Sequence, residues 1–154
     1  MKQLSNDLRE FIHLLSTKNV EFLIVGAWAL AFHGRPRYTG DLDIFVARDP
    51  QNADRLMAVI AAFGFGGIGI ERTDFLQADY VIQLGQAPNH IDLLTGISGV
   101  TFEEAWQSRE YGNLSGVDVA FLSREHLIKN KRAANRPKDQ GDVELLEQTK
   151  PSRQ

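Results

Sequence analysis

The chain has 154 residues, with 17 lysines and arginines against 20 aspartates and glutamates, and it contains no cysteine. The length suits a single domain, which we assign to residues 1–148, followed by a flexible tail over residues 149–154. The near balance of charge excludes a general attraction to nucleic acid, and the lack of cysteine excludes disulfides and thiolate chemistry. The N-terminus shows no signal pattern and no apolar run is long enough for a membrane, so a soluble, cytoplasmic protein is expected.

The first predicted elements are an amphipathic helix and a short buried strand. Apolar residues recur at helical spacing from Leu4 to Leu15 and predict a packing helix. The fully apolar run over residues 22–25 predicts a strand, and Gly26 opens a second helix that runs to Phe32.

The start of this second helix is a candidate anion site. Free backbone N–H groups at Gly26 and Ala27 favour phosphate, and Gly26 lets phosphate oxygens approach the backbone without a Cβ. An alternative is that Gly26 only makes a tight turn from strand to helix. Arg35 and Arg37 follow in a turn, where they would grip phosphates, balance nearby acids or stay ordinary exposed charges.

Asp41 and Asp43 come next, two residues apart in a predicted strand. Because strand side chains alternate, both carboxylates project from one face while Leu42 and Ile44 point into apolar packing. Two carboxylates in one small volume favour a hard divalent cation, Mg²⁺ or Mn²⁺. The alternative is the solvent-facing side of an amphipathic strand.

Two further elements precede the third candidate carboxylate. Pro50 begins a predicted helix that ends near Phe63. The glycines from Gly64 to Gly69 match the dinucleotide fingerprint G-x-G-x-x-G, but they follow a helix and lead into a strand, so we reject a Rossmann site.

The third candidate carboxylate is Asp92. Residues 78–84 and the segment around Asp92 predict two strands joined by a turn, a hairpin that delivers the carboxylate. If the Asp92 strand neighbours the Asp41–Asp43 strand, the three carboxylates converge in a geometry that suits phosphoryl chemistry.

The C-terminal part predicts a strand hairpin and a basic helical segment. Strands are expected near residues 109–111 and over 117–122, with a turn between them. Ser123 caps a helix to about Asn135, and Pro137 starts another. The only dense group of cations, which includes Lys131 and Lys138, lies in these helices and is by itself most simply a solvated face.

These motifs together resemble those of the nucleotidyltransferase superfamily of the DNA polymerase beta type. The match falls on Gly26, Asp41, Asp43 and Asp92. Residues 33–46 and 129–146 also resemble small bacterial nucleotidyltransferases related to abortive-infection, type IV toxin proteins.

The resemblance implies an α/β (α+β) fold with a mixed central sheet flanked by helices, an NTP donor and a Mg²⁺ (or Mn²⁺) cofactor. It implies that Asp41, Asp43 and Asp92 are catalytic metal ligands. Gly26, Ala27, Arg35, Arg37 and Lys131 are its expected nucleotide-binding residues. Where the family usually has Gly or Ser, Ala27 supplies a backbone N–H but no hydroxyl.

The resulting hypothesis is a metal-dependent transfer of NMP from an NTP to a hydroxyl acceptor in RNA, protein or a small molecule. A toxin–antitoxin role with an antitoxin protein as partner accompanies it. The alternative is a non-catalytic binding or regulatory protein of the same fold, which Ala27 and the small size favour. The sequence leaves open which NTP and which acceptor are used, and the oligomeric state.

Overall fold

The structure is a computed structural model that describes residues 5–34, 41–64, 69–85 and 90–148. Its centre is a six-stranded mixed sheet with the order β3-β4-β2-β1-β6-β5. The two pairings that matter for the site are parallel, β2 with β4 and β1 with β6, whereas β1 and β2 are antiparallel. The strands are β1 Phe22–Val25, β2 Leu42–Val46, β3 Val81–Leu84, β4 Ile91–Leu94, β5 Glu110–Leu114 and β6 Val117–Phe121.

In the described residues, six α-helices and one 3₁₀ helix flank the sheet. Local sequence explains several of their ends: Ser5, Asp49 and Ser123 cap helix N-termini with their side chains, and Gly64 ends α3 in a left-handed conformation at φ +102°. The helices are α1 Asn6–Thr17, α2 Gly26–Phe32, α3 Pro50–Phe63, α4 Phe102–Gln107, α5 Arg124–Ala134 and α6 Pro137–Gln148, with the 3₁₀ helix over Arg72–Leu76.

The two faces of the sheet differ in composition. On β2, Leu42 and Ile44 are fully buried on one face, whereas Asp43 and Phe45 project from the other. The ring of Phe102 in α4 meets that of Phe45 at 5.1 Å, so α4 covers part of the face that carries Asp43. No helix in the described ranges is long and apolar enough to cross a bilayer.

The sequence predictions hold for most of these elements, including the mixed α/β sheet, the helix at Gly26 and the β3–β4 hairpin. The strand predicted over residues 78–84 is shorter because Asp79 adopts φ +50°, which does not continue extended backbone, and the Thr95 hydroxyl accepts from the Tyr80 N–H. Helix α4 was not predicted, although Thr101 and Glu104 form a capping box at its start.

Candidate active site

Asp43 and Asp92 lie side by side on neighbouring strands. The parallel register of β2 and β4 pairs these two positions directly, so both side chains project from the same face of the sheet. Gln83, which pairs with Asp92 from β3, donates from Nε2 to Asp92 Oδ1 at 3.0 Å. The sequence analysis could only assume that the strand of Asp92 lies next to the strand of Asp43, and the structure has these two strands paired.

The electrostatics of this pair are unusual. Burial raises the pKa of the Asp43 carboxyl to about 6, and the nearby charges of Asp92 and Asp41 and a hydrogen bond with the Asp92 carboxyl act in the same direction. The positive charge of Lys138 opposes this shift. In the absence of a cation, the Asp43 carboxyl therefore keeps its proton to a higher pH than an ordinary aspartate does.

Asp41 precedes β2 and has a different set of contacts. Its Oδ1 accepts from the backbone N–H of His90 at 3.1 Å and lies 3.5 Å from His90 Nδ1. Its side chain is 47% exposed, and its charge still acts on Asp43. The indole of Trp28 in α2 donates to the Asp41 carbonyl at 3.0 Å, which fixes α2 to the start of β2.

Gly26 stands directly against the acidic pair. Its φ of +66° is in the left-handed region, and a Cβ on this residue would overlap Asp43 Oδ2 and lie 3.1 Å from the Asp43 Cβ. The glycine therefore permits both the turn from β1 into α2 and the close approach of the carboxylate. Ala27 follows in the first turn of α2, where no side chain among the described residues caps the backbone N–H groups.

The donor set fits a divalent cation at Asp43 and Asp92. Two adjacent, half-buried carboxylates repel each other when ionised, and hard oxygen ligands of this kind suit Mg²⁺ or Mn²⁺. Over residues 5–34, 41–64, 69–85 and 90–148, no group of three or more histidine, aspartate or glutamate side chains has the arrangement of a metal site. Asp43 and Asp92 are therefore placed side by side for a cation, whereas the Asp41 carboxylate contacts His90.

Lys131 lies in a buried ion-pair cluster and not on a solvated face. Its Nζ is 3.4 Å from Asp139 Oδ1 and 3.1 Å from Asp142 Oδ2, and the Asp139 side chain is fully buried. Arg136 adds a bond from Nε to Asp139 Oδ2 at 2.6 Å. The described contacts of Lys131 thus join α5 to α6. Lys138 is the lysine whose charge acts on Asp43.

Replacing Lys131 by methionine is expected to lower the free energy of unfolding by about 3 kcal/mol, because the buried Asp139 and Asp142 lose their shared ammonium partner. Urea unfolding measures this. The matched control is Lys129→Met, which breaks an exposed pair with Glu104 and should cost much less because solvent screens that pair. Unchanged stability with a raised KM for NTP would instead support a nucleotide contact for Lys131.

Three further residues lie in or after α2. Arg35 and Arg37 lie outside the described residues, so their role stays a prediction. His33, at the C-terminal end of α2, is fully buried with Nε2 2.8 Å from the Leu122 carbonyl, and burial lowers the pKa of its imidazole. A neutral His33 donating to that carbonyl ties α2 to the end of β6.

Comparison with known proteins identifies the family. Residues 4–154 match the family described as "Nucleotidyl transferase of unknown function (DUF2204)". The chain belongs to this family. The superfamily that the sequence motifs suggested is thereby confirmed, while the closer resemblance to type IV toxin proteins stays a prediction. A comparison with curated proteins gives no match.

Solved structures show the same fold at low sequence identity. The lincosamide antibiotic adenylyltransferase LnuA, bound to lincomycin, superposes with a TM-score of 0.61 at 14% identity, over 95% of this chain and 98% of that one. ANT(2")-Ia in complex with adenylyl-2"-tobramycin gives 0.59 at 19%, over 90% and 84%. An antigenic nucleotidyltransferase-like protein from Paracoccidioides brasiliensis gives 0.51 at 16%, over 94% and 78%.

Three contributors to the site were missed or left undecided by sequence reasoning. Gln83 and His90 reach the carboxylates across strand pairings that no local pattern specifies. Trp28 was not predicted as a site residue, although a buried indole N–H usually finds a hydrogen-bond partner and here donates to the Asp41 carbonyl.

Proposed function

We propose that this protein transfers an NMP group from an NTP to a hydroxyl acceptor in a reaction that depends on Mg²⁺ or Mn²⁺. The observation that carries the proposal is the juxtaposition of Asp43, Asp92 and Gly26 on one face of the sheet, in a chain of a nucleotidyl transferase family. Phosphoryl transfer needs positioned charge more than a protein nucleophile, and this arrangement supplies it.

Each residue has a defined part in this proposal. Asp43 and Asp92 would hold the cation, with Asp41 completing its ligands from the start of β2. When bound, the cation would neutralise charge on the phosphate oxygens and favour ionisation of the acceptor hydroxyl. Asp92 would accept the hydroxyl proton, and the backbone at Gly26 and Ala27 would bind the triphosphate.

Isothermal titration calorimetry with ATP, GTP, CTP and UTP in the presence of Mg²⁺ tests NTP binding. Wild type should bind at least one NTP, and Asp43→Asn should bind it at least tenfold more weakly with Mg²⁺ because a ligand of the cation is lost. Asp118→Asn, an exposed aspartate of β6, is the matched control. Wild type that binds none of the four NTPs contradicts the proposal.

Lys138 is expected to contact the triphosphate, because its charge acts on Asp43 from the start of α6. Lys138→Ala should raise KM for the NTP about five- to tenfold, with a smaller effect on kcat, since the lysine binds phosphate oxygens in both ground and transition states. Steady-state kinetics measures this, with Lys129→Ala as control. Equal KM values in the two variants would remove Lys138 from the site.

For the acceptor we propose a chemical class. LnuA is described as a lincosamide antibiotic adenylyltransferase, and ANT(2")-Ia is seen with adenylyl-2"-tobramycin. These descriptions support a small-molecule hydroxyl as the acceptor class for this chain. RNA, protein and an antitoxin partner remain alternatives from the sequence resemblance.

The second candidate is a non-catalytic protein of the same fold. Two observations favour it: the Asp41 carboxylate bonds to His90, and Ala27 offers no hydroxyl to a triphosphate. Transfer of label from an NTP to any acceptor, lost in Asp41→Ala, would eliminate this candidate.

A further inference from the structure

A serine, a histidine and a glutamate meet where the end of α4 packs against the start of α5. The Ser108 Oγ lies 2.8 Å from His126 Nδ1, and His126 Nε2 lies 3.5 Å from Glu104 Oε1. A hydroxyl bonded to an imidazole that faces a carboxylate is the arrangement that turns a serine into a nucleophile. The cluster shares no residue with the proposed site of nucleotidyl transfer.

The two helices hold the three side chains in this order. Glu104 lies in α4 and Ser108 ends that helix four residues later, so both side chains lie on one side of it. His126 belongs to the first turn of α5, where its backbone N–H donates to the Ser123 hydroxyl at 3.1 Å. The His126 side chain is only 19% exposed, so its imidazole is packed between the two α4 groups.

The carboxylate of the cluster is fixed and ionised. Glu104 Oε1 accepts from Lys129 Nζ at 2.8 Å, and Glu104 Oε2 accepts from the Thr101 N–H at 2.9 Å. The bond from Lys129, followed by that from Thr101, lowers the pKa of the Glu104 carboxyl to about 2. An ionised Glu104 favours the His126 tautomer with its proton on Nε2, which leaves Nδ1 to accept from the Ser108 hydroxyl.

The Ser108 hydroxyl has a second acceptor within reach. Its Oγ lies 3.3 Å from the Glu104 carbonyl, a common contact of a serine at a helix end. The contact with His126 Nδ1 is the shorter one and has the length of a good hydrogen bond. A serine that only ended α4 would not need an imidazole with an ionised carboxylate behind it.

Ser108 also lines a cavity of about 270 Å³. The other lining residues are Glu110 and three residues at the start of α5, namely Ser123, Arg124 and Glu125. The positive end of the α5 dipole therefore lies at the cavity, where it favours the negative oxygen that develops when a hydroxyl attacks a carbonyl. Pockets for drug-sized ligands have roughly 300–1,000 Å³, so this cavity suits a smaller compound.

We propose that Ser108, His126 and Glu104 form a second site, which hydrolyses small carboxylic esters. Ser108 and His126 are its catalytic residues, and Glu104 is a positioning residue that acts through His126. The inference goes beyond the proposed nucleotidyl transfer and does not depend on it.

The reaction balances without a further reactant other than water. The Ser108 Oγ forms a bond to the ester carbonyl carbon, and its proton passes to His126 Nδ1. The bond from that carbon to the alkoxy oxygen breaks, and the alcohol leaves with the electron pair and the proton from His126. Water then attacks the acyl group on Ser108, which releases the carboxylic acid and restores the serine hydroxyl.

Hydrolysis of p-nitrophenyl acetate, together with labelling by a fluorophosphonate located by peptide mass spectrometry, tests the site. Ser108→Ala and His126→Gln should each lower kcat/KM for the ester at least tenfold, because the nucleophile or its base is lost. The fluorophosphonate should label Ser108 in wild type and react at least tenfold more slowly in His126→Gln. Ser16→Ala, at an exposed serine of α1, is the matched control and should equal wild type.

Glu104→Gln tests the positioning residue separately. Glutamine still supports the capping box with Thr101, so the urea unfolding of this variant should match that of wild type. We expect kcat for the ester to fall at least fivefold with KM unchanged, because Glu104 orients His126 and does not touch the ester. Labelling of Ser108 should slow by the same factor, which a role in the structure of α4 alone would not produce.

Three results would overturn the inference. The first is ester hydrolysis that persists in Ser108→Ala but not in His126→Gln, which would show an imidazole acting alone. The second is a fluorophosphonate label on other residues and not on Ser108. The third is hydrolysis that stops when a chelator is added, because this cluster uses no cation. None of these assays contains an NTP, so their outcome is independent of whether the protein transfers nucleotides.

Discussion

Asp43→Asn is expected to abolish nucleotidyl transfer and, at the same time, to stabilise the metal-free protein at neutral pH. The loss of activity follows because asparagine is a poor ligand for a hard cation and carries no charge to balance it. We expect a fall of at least a thousandfold in kcat/KM, measured with labelled NTP.

The stability gain follows from the raised pKa of Asp43, about 6 against an ordinary value of 3.8. A raised pKa means that the folded state holds the proton more tightly than the unfolded state, so wild type loses stability as pH rises from about 4 to about 6. Above pH 6 the ionised Asp43 lowers the free energy of unfolding of wild type by its full amount. This difference between the folded and unfolded pKa corresponds to at most about 3 kcal/mol, and partial solvation of Asp43 reduces the cost to about 1–2 kcal/mol.

Urea unfolding in the presence of a chelator, at pH 4 and at pH 7.5, measures this gain. The variant should exceed wild type in free energy of unfolding at pH 7.5 and match it at pH 4. Asp118→Asn, at an exposed position, should track wild type at both pH values. Mg²⁺ should then narrow the difference at pH 7.5, because it binds the folded wild type and not the variant. A variant less stable than wild type at pH 7.5 would contradict the electrostatic account.

Gly26→Ala is expected to remove both activity and a substantial part of the stability. Alanine at φ +66° costs about 1–2 kcal/mol in backbone energy, and its Cβ would displace the Asp43 carboxylate from its place beside Asp92. We expect a loss of about 2–4 kcal/mol in the free energy of unfolding and at least a hundredfold loss in kcat/KM.

The matched control for this substitution is Gly64→Ala. Gly64 also has positive φ, at +102°, but among the described residues that are not its neighbours in the chain no atom lies within 4 Å of the position that a Cβ would occupy, so this variant carries backbone strain without overlap. Its activity per folded molecule should equal that of wild type. If the two variants lose the same stability and both keep full activity, the close contact of Gly26 with the Asp43 carboxylate is contradicted.

The sequence predicts those features of the site that depend on residues close together in the chain, and not those that depend on contacts between distant segments. The alternation of side chains along β2 placed Asp43 opposite Leu42 and Ile44 correctly, because that period belongs to the strand itself. The pairing of Asp43 with Asp92 depends on a parallel contact between strands far apart in sequence, which no local pattern specifies. The family resemblance was needed to bring them together.

Lys131 illustrates what sequence could not provide. A lysine among other cations on a helix is normally solvated, and only the packing of α6 against α5 places Asp139 and Asp142 around its ammonium group. The proposed contact of Lys138 with the triphosphate likewise depends on tertiary structure, because the charge of Lys138 acts on Asp43 from α6. Helix α4, by contrast, could have been found from the Thr101 and Glu104 capping box.

The most direct test of the central claim is label transfer from NTP carrying a labelled α-phosphate, with wild type, Asp43→Asn and Asp92→Asn assayed with Mg²⁺ and with a chelator. The acceptors offered are total RNA, total protein and a panel of small hydroxyl compounds. We predict that wild type with Mg²⁺ labels one acceptor and releases pyrophosphate, and that the chelator or either substitution prevents this. Label transfer that persists in both variants, or that does not require the divalent cation, would contradict a catalytic cation site at Asp43 and Asp92.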